Sequence, residues 1–450
     1  MQQNEASSQR LWQAVVDAFR QPDLRAKLLF TLGILILFRF IANIPVPGVD
    51  RDGLAAIFHN NQLLSFLDVF SGGTLQKLSI AAMGVYPYIT ASIIIQLMVP
   101  VIPQLQQLSK EGERGRQQMN KLTHYLTVPL AFGQAYGQLT LLNRTQVSAF
   151  SGGHIIQNFG FSGGDLLPTM SMMLTMVAGT MLLVWFAELI TEHGIGNGGA
   201  LIIFGGIVAR LPSLLGQGFL SGSGSNLGGL LFLLAVGVLL VYLIVLFTEA
   251  QRRVPVQYGR SLFRGGRVYR QTGSSFIPLR VNSAGMIPLI FAFSIVIFPG
   301  IVASYFTSAN ASWIASTARW TQDFFSPTHF VYWGLIFVLV VGFAFFYTLI
   351  QFQQQNLAEN LQKQGGFIPG IRPGKPTQDY LTGVLIRITW AGALFLGLVS
   401  IAPFFAQRVS NVSTIQISAA SMLIVVGVVL DTMRQLEAQL LMRRYEGFIK

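Results

Sequence analysis

The sequence predicts an all-α integral membrane protein with ten transmembrane helices, and three observations carry the prediction. Hydrophobic residues make up 52% of the 450-residue chain and charged residues only 11%. With a mean hydropathy of +0.54 as well, a soluble globule would have too little polar surface to cover itself. Ten apolar segments approach the ~20 residues that a helix needs to cross a bilayer core about 30 Å thick. The alternation of ten-residue strands expected of a membrane β-barrel is absent. Length alone would suggest about three soluble domains, a reading that composition overrules.

The first span, 26–44, follows a polar segment of mixed charge and ends at Asn43-Ile-Pro-Val-Pro, without a small-residue cleavage site, so no removable signal peptide is expected. Residues 64–76 are too short to span and too apolar for an ordinary exterior loop. They are read as a short re-entrant helix, with an interfacial hairpin as the alternative. The second span, 78–101, contains Pro87, which removes a backbone hydrogen bond and predicts a kink. Spans over 122–142 and 167–190 follow.

Between the fourth and fifth spans, Gly194-Ile-Gly-Asn-Gly-Gly199 matches G-x-G-x-x-G literally. No strand precedes it and no acidic residue occurs from 193 to 248, so it reads as a tight turn rather than a dinucleotide site. Spans over 199–216 and 227–248 come next, then an arginine-rich loop at 251–280, then spans over 283–306, 330–352, 381–404 and 413–431.

Ten spans return both termini to one side, and charge says which. The N-terminal segment, the loops 102–121, 250–282 and 353–380 with Arg387, and the C-terminal tail hold 23 of the 30 lysines and arginines. The positive-inside rule therefore puts both termini in the cytoplasm. The net charge of +12 resides in loops between spans, not on a soluble nucleic-acid-binding patch. Seven of the positive charges, Arg252, Arg253, Arg260, Arg264, Arg267, Arg270 and Arg280, lie in one loop without lysine, aspartate or glutamate. A guanidinium keeps its charge and matches phosphate, so the loop points to lipid headgroups, ribosomal RNA or an acidic partner.

Other chemistry is sparse. The absence of cysteine excludes disulfides, thiol catalysis and thiolate metal sites, and the five histidines have no metal-ligand spacing. No cofactor is implied, and no Walker-type motif suggests ATP hydrolysis. Arg39, Glu188 and Arg387 sit near span ends, where long side chains can snorkel or pair. No carboxylate or histidine is expected near midplane, which weighs against an ion-coupled transporter. Val85, Ile89, Ile203, Ile290 and Ile424 are branched aliphatics where a pore would be narrowest, although packing of helix on helix is the ordinary reading of each.

Several blocks resemble one family in order and spacing. They are Phe70-Ser-Gly-Gly-Thr-Leu, Gly84-Val-Tyr-Pro-Tyr-Ile-Thr-Ala-Ser-Ile-Ile-Ile-Gln96, Lys110-Glu-Gly-Glu-Arg-Gly-Arg116, Thr191-Glu-His-Gly-Ile-Gly-Asn197, Arg252-Arg-Val-Pro-Val, Leu279-Arg-Val-Asn-Ser-Ala-Gly-Met-Ile-Pro288 and Phe367-Ile-Pro-Gly-Ile-Arg-Pro-Gly374. Together they resemble the SecY family, the channel subunits of the bacterial Sec translocon. The tail Gln439-Leu-Leu-Met-Arg-Arg-Tyr-Glu-Gly-Phe is similar to the cyanobacterial and plastid branch.

The resemblance implies two inverted five-helix halves, 26–216 and 217–431, between a cytoplasmic segment 1–25 and a cytoplasmic tail 432–450. It implies a plug at 64–76 that includes Phe66, Phe70, Ser71, Gly72 and Gly73. It implies a pore ring of Val85, Ile89, Ile203, Ile290 and Ile424, with Gly199 departing from the usual isoleucine at one ring position. Gln96 and Asn282 match polar positions of a lateral gate. Arg252, Arg253, Arg260, Arg264, Arg267, Arg270 and Arg372 match projections that dock the SecA ATPase or the ribosome and its RNA. Implied partners further include SecE, SecG, signal peptides, nascent chains and anionic lipids. The implied location is the plasma membrane, with the thylakoid membrane as the alternative for that branch.

Overall fold

The computed structural model describes residues 19–48, 71, 73–144, 156, 159–160, 163–220, 227–264, 267–306, 311–325, 329–410 and 419–446. Among these, the helices are α1 (Pro22–Ile41), α2 (Tyr86–Met98), α3 (Pro103–Lys110), α4 (Glu113–Arg144), α5 (Leu166–His193), α6 (Gly198–Leu220) and α7 (Leu227–Glu249). They continue with α8 (Ile287–Phe306), α9 (Ser312–Phe324), α10 (Phe330–Gln355), α11 (Leu357–Lys363), α12 (Lys375–Ser410) and α13 (Ala419–Glu446). Strands β1 (Gln251–Arg264), β2 (Arg267–Arg280) and β3 (Gly366–Phe367) form one sheet in the order β2-β1-β3.

Each of the ten expected spans overlaps one of these helices, the second only in part, because α2 covers 86–98 of the expected 78–101. By length and composition, α5, α10 and α12 are long and apolar enough to cross a membrane. Helices α2 and α3 are so only as a pair, with a 103° bend between them.

Two expectations are corrected. Pro87 does not kink a span in its middle but stands in the first turn of α2, where its missing N–H would have had no helical partner anyway. Residues 81–85 before it form turns. The arginine-rich segment is not a loop but a β-hairpin with its register running from Gln251↔Arg280 to Arg264↔Arg267.

The chain divides into two compact units: residues 1–225, 297–329 and 413–450 in one, and residues 226–296 and 330–412 in the other. In the first, α2 packs on α4, α4 on α5, α5 on α6, and α6 on α13. Small residues allow the backbones to approach: a Cβ on Gly179 of α5 would lie 2.0 Å from the Ile80 carbonyl oxygen. In the second, α12 packs on α10 and α7. There the rings of Phe247 and Phe395 stack at 3.8 Å, and Gly397 leaves room for the Phe337 ring.

Candidate functional site

Val85, Ile203, Ile290 and Ile424 are buried and Ile89 is half-buried. Val85 forms the N-cap of α2 and is 1% exposed, and its carbonyl accepts the N–H of half-buried Ile89 at 3.0 Å. Ile203 lies on α6 and Ile424 on α13, helices that pack together, and both are buried. Ile290, in the second unit, is buried on α8. These side chains carry no group that could bind a passing ligand through polar contacts.

Of the residues matched to the plug, Phe66, Phe70 and Gly72 lie outside the described residues, Ser71 is buried and Gly73 is half-buried. Ser71 Oγ accepts from the Leu75 N–H at 3.1 Å. Thr74 Oγ1 lies 2.8 Å from the Ser71 carbonyl and 2.7 Å from that of Ala81, and its single hydrogen serves one at a time. Gly73 has φ +80, a conformation that favours glycine. The chain leaving this turn is held by two backbone bonds, Val46 N–H to Leu78 and Ile80 N–H to Ile44, both 2.9 Å.

Gln96 and Asn282, matched to the gate, share one property. Gln96 donates through Nε2 to Ser92 Oγ on its own helix at 3.2 Å, yet its Oε1 is buried and accepts nothing from the described residues. Asn282 is 8% exposed, and its Oδ1 is likewise buried and unsatisfied. A buried carbonyl without a donor costs on the order of 1–3 kcal/mol, so both favour any state that brings one.

The arginines matched to docking projections include three at a built platform. Val254, Val256 and Leu279 at the hairpin base join Phe352, Leu361, Ile368, Leu381 and Leu385 in one apolar cluster. Strand β3 extends the sheet through Gln257↔Phe367 and Tyr258↔Gly366. The turn after β3 is closed by Ile371 N–H to Ile368 at 3.0 Å, with Gly370 at φ +82. Thr377 Oγ1 then donates to the Arg372 carbonyl at 2.8 Å, which pins the backbone while the side chain stays exposed. The fold therefore brings Arg372 onto the same platform as the exposed Arg252 and Arg253, whose guanidinium lies 4.9 Å from the Phe276 ring centroid. Arg260, Arg264, Arg267 and Arg270 occupy the distal register positions, on the order of 30–40 Å along the strands from the base.

The remaining charges have partners that spacing did not reveal. Glu188 Oε1 pairs with His124 Nε2 at 2.6 Å between α5 and α4. Arg39 Nη2 donates to the carbonyls of Gly205 and Gly206, at 3.1 and 2.7 Å. In the Gly194–Gly199 turn, the N–H groups of Ile195, Gly196, Gly198 and Ala200 are already used by Thr31, Gln435, Thr191 and Asn197 side chains. Donors so engaged do not form a phosphate cradle, in keeping with the tight-turn reading.

A family model described as SecY matches residues 79–433. A protein translocase subunit SecY from Streptomyces scabiei is 42% identical, covering 97% of this chain and 99% of its own. One from Thermotoga maritima is 40% identical, covering 98% of each. A solved structure described as a protein conducting channel has a TM-score of 0.60 at 14% identity, covering 92% of both chains. Sec61 in the canine ribosome-channel complex has a TM-score of 0.56 at 15% identity, again covering 92% of both. The structures share the fold, the relatives share the sequence from end to end, and the chain belongs to the SecY family of protein translocase subunits.

Proposed function

We infer that the chain is the central protein-conducting subunit of a Sec translocon, passing unfolded polypeptides across the membrane and releasing transmembrane segments sideways. The observation that carries this reading is the near full-length match to chains named as protein translocase subunits. The chain is a channel subunit and not an enzyme, so an outside motor drives it. Its partners in this reading are SecE, SecG, and either the SecA ATPase or the ribosome. The structural neighbour from the ribosome-channel complex supports the last of these.

Within that function we assign Val85, Ile89, Ile203, Ile290 and Ile424 to the constriction. Aliphatic side chains resist wetting and ion leakage without holding any one sequence strongly, as a channel for unrelated polypeptides requires. Gln96 and Asn282 are assigned to the lateral gate, and an intramembrane polar contact there is worth only about 0.6 to 2 kcal/mol. An entering signal helix can offset that amount. The division into halves 26–216 and 217–431 belongs to the same proposal, as do the cytoplasmic termini and the plasma-membrane location. The cyanobacterial or plastid branch, and thylakoid residence with it, rests on the C-terminal tail alone; the relatives described above come from other bacteria and give it no support.

Photocrosslinkers at Ile89 and Ile290 test the reading. Both are expected to capture a stalled secretory chain. Labelling by a small solute alone would instead favour a small-molecule transporter built on the same helices, with the His124 and Glu188 pair as its ionisable site.

A further inference from the structure

At 3.6 residues per turn, helix α9 divides lengthwise into a buried, a polar and an aromatic sector, the aromatic one about 90° from the polar and nearly opposite the buried. Ala315 and Ala318 are buried, which marks the packed side of the helix. Ser316, Arg319 and Asp323 form an exposed polar sector. The third sector holds Trp313, 72% exposed, Trp320, 66% exposed, and Phe324, 37% exposed, with the rings of Trp320 and Phe324 stacked at 5.4 Å. Single apolar residues on a surface need no explanation, but three exposed aromatic residues on one face of a helix packed on the opposite face do.

Chain connectivity says what covers the stripe. Residues 307–311 and 325–329 alone join α9 to α8 and α10, and a linker of that length reaches at most about 20 Å. Helix α8 is 20 residues long, which is about 30 Å or one bilayer core, and α9 hangs from its C-terminal end. At the other end of α9, a Cβ on Gly300 of α8 would lie 3.7 Å from the Phe325 side chain, so Phe325 sits more than a turn below the end of that span. Tryptophan and phenylalanine at that depth, beside a polar sector, match a phospholipid headgroup boundary.

We propose that α9 lies in the membrane–water interface, with Trp313, Trp320 and Phe324 inserted among phospholipids and Ser316, Arg319 and Asp323 turned to water. The helix anchors the C-terminal end of α8 at a fixed depth in its leaflet.

The chain contains no cysteine, so one introduced cysteine carries a nitroxide at a single place. The full chain is reconstituted in liposomes of phosphatidylcholine and phosphatidylglycerol as separate Trp313→Cys, Trp320→Cys, Ser316→Cys and Val338→Cys variants. Accessibility to oxygen, which partitions into lipid, is compared with that to a water-soluble nickel chelate. Positions 313 and 320 are expected to show a several-fold higher oxygen-to-nickel ratio than 316. A ratio at 320 equal to that at 316 would overturn the proposal, as would shielding from both reagents, the mark of a second copy or another subunit over the stripe. Val338, 64% exposed on α10, reports on the membrane itself. A high nickel signal there would overturn the spanning placement of α10 and the proposal with it, whereas an oxygen-rich 338 beside a nickel-rich 320 would count against α9 alone.

Discussion

Gly198 and Gly199 are neighbours at the start of α6 with opposite surroundings. A Cβ on Gly198 would lie 1.9 Å from the carbonyl oxygen of Ala187 and 2.6 Å from its carbon, backbone atoms of α5 that cannot step aside. A Cβ on Gly199 would meet only Asn197 Oδ1, at 3.5 Å, an ordinary contact. Gly198→Ala is therefore expected to destabilise by about 1–3 kcal/mol, as overpacking does. Gly199→Ala should be neutral or stabilise by up to about 1 kcal/mol by restricting the unfolded chain. Thermal unfolding of the purified chain in detergent checks both, and equal losses would contradict the geometry. The resemblance singled out Gly199, since a ring position there usually carries isoleucine, and the open space shows that the site would accept a Cβ. Nothing in the sequence singled out Gly198, because its neighbour lies on another helix. The same holds for Glu188: its place near a span end was legible, and its partner His124 was not.

At the scale of elements, the helices were legible because an apolar run of about 20 residues in a membrane has few alternatives. The hairpin was not, although Val254 and Val256 alternate with exposed residues and Gly265-Gly266 falls between the two strands. Pro255 in β1 and Pro278 in β2 are atypical of strands, since proline cannot donate to a ladder, yet the structure keeps both in paired strands. An isolated two-stranded hairpin is marginal, so this one depends on its apolar platform. Leu381, fully buried there, links α12 to the hairpin base. Leu381→Ala should cost about 2–5 kcal/mol locally. Tryptic cleavage between Arg260 and Arg270 is then expected to accelerate while α5 stays protected, and an unchanged cleavage rate would refute the anchoring. Arg372 stands on the same platform with its backbone pinned by Thr377, so its charge can be reversed without moving the fold. Arg372→Glu is expected to block SecA-driven or ribosome-coupled translocation at normal expression and membrane insertion. Normal transport by that variant would remove Arg372 from the docking surface.

For the whole molecule, the seal of the closed channel is the property that joins ring and plug, and the buried turn at 71–78 refines how it is tested. Ser71, Thr74, Leu75 and Leu78 are buried, and the chain beyond them is tied to 44–46 and packed on Gly179 of α5. Removing all of 64–76 would delete this clamp together with the proposed plug, so a leak would have two explanations. Removing 64–70 alone leaves Ser71 Oγ on the Leu75 N–H and Thr74 on its carbonyl partners. In planar bilayers the shorter deletion is expected to raise ion conductance, at least transiently, with little change in thermal stability, because an aliphatic ring alone seals by dewetting and reopens with thermal motion. The longer deletion should leak and also unfold at lower temperature. A folded 64–70 deletion that conducts no more than the parent chain would show that this segment is not the plug, and the seal would then belong to Val85, Ile89, Ile203, Ile290 and Ile424 alone.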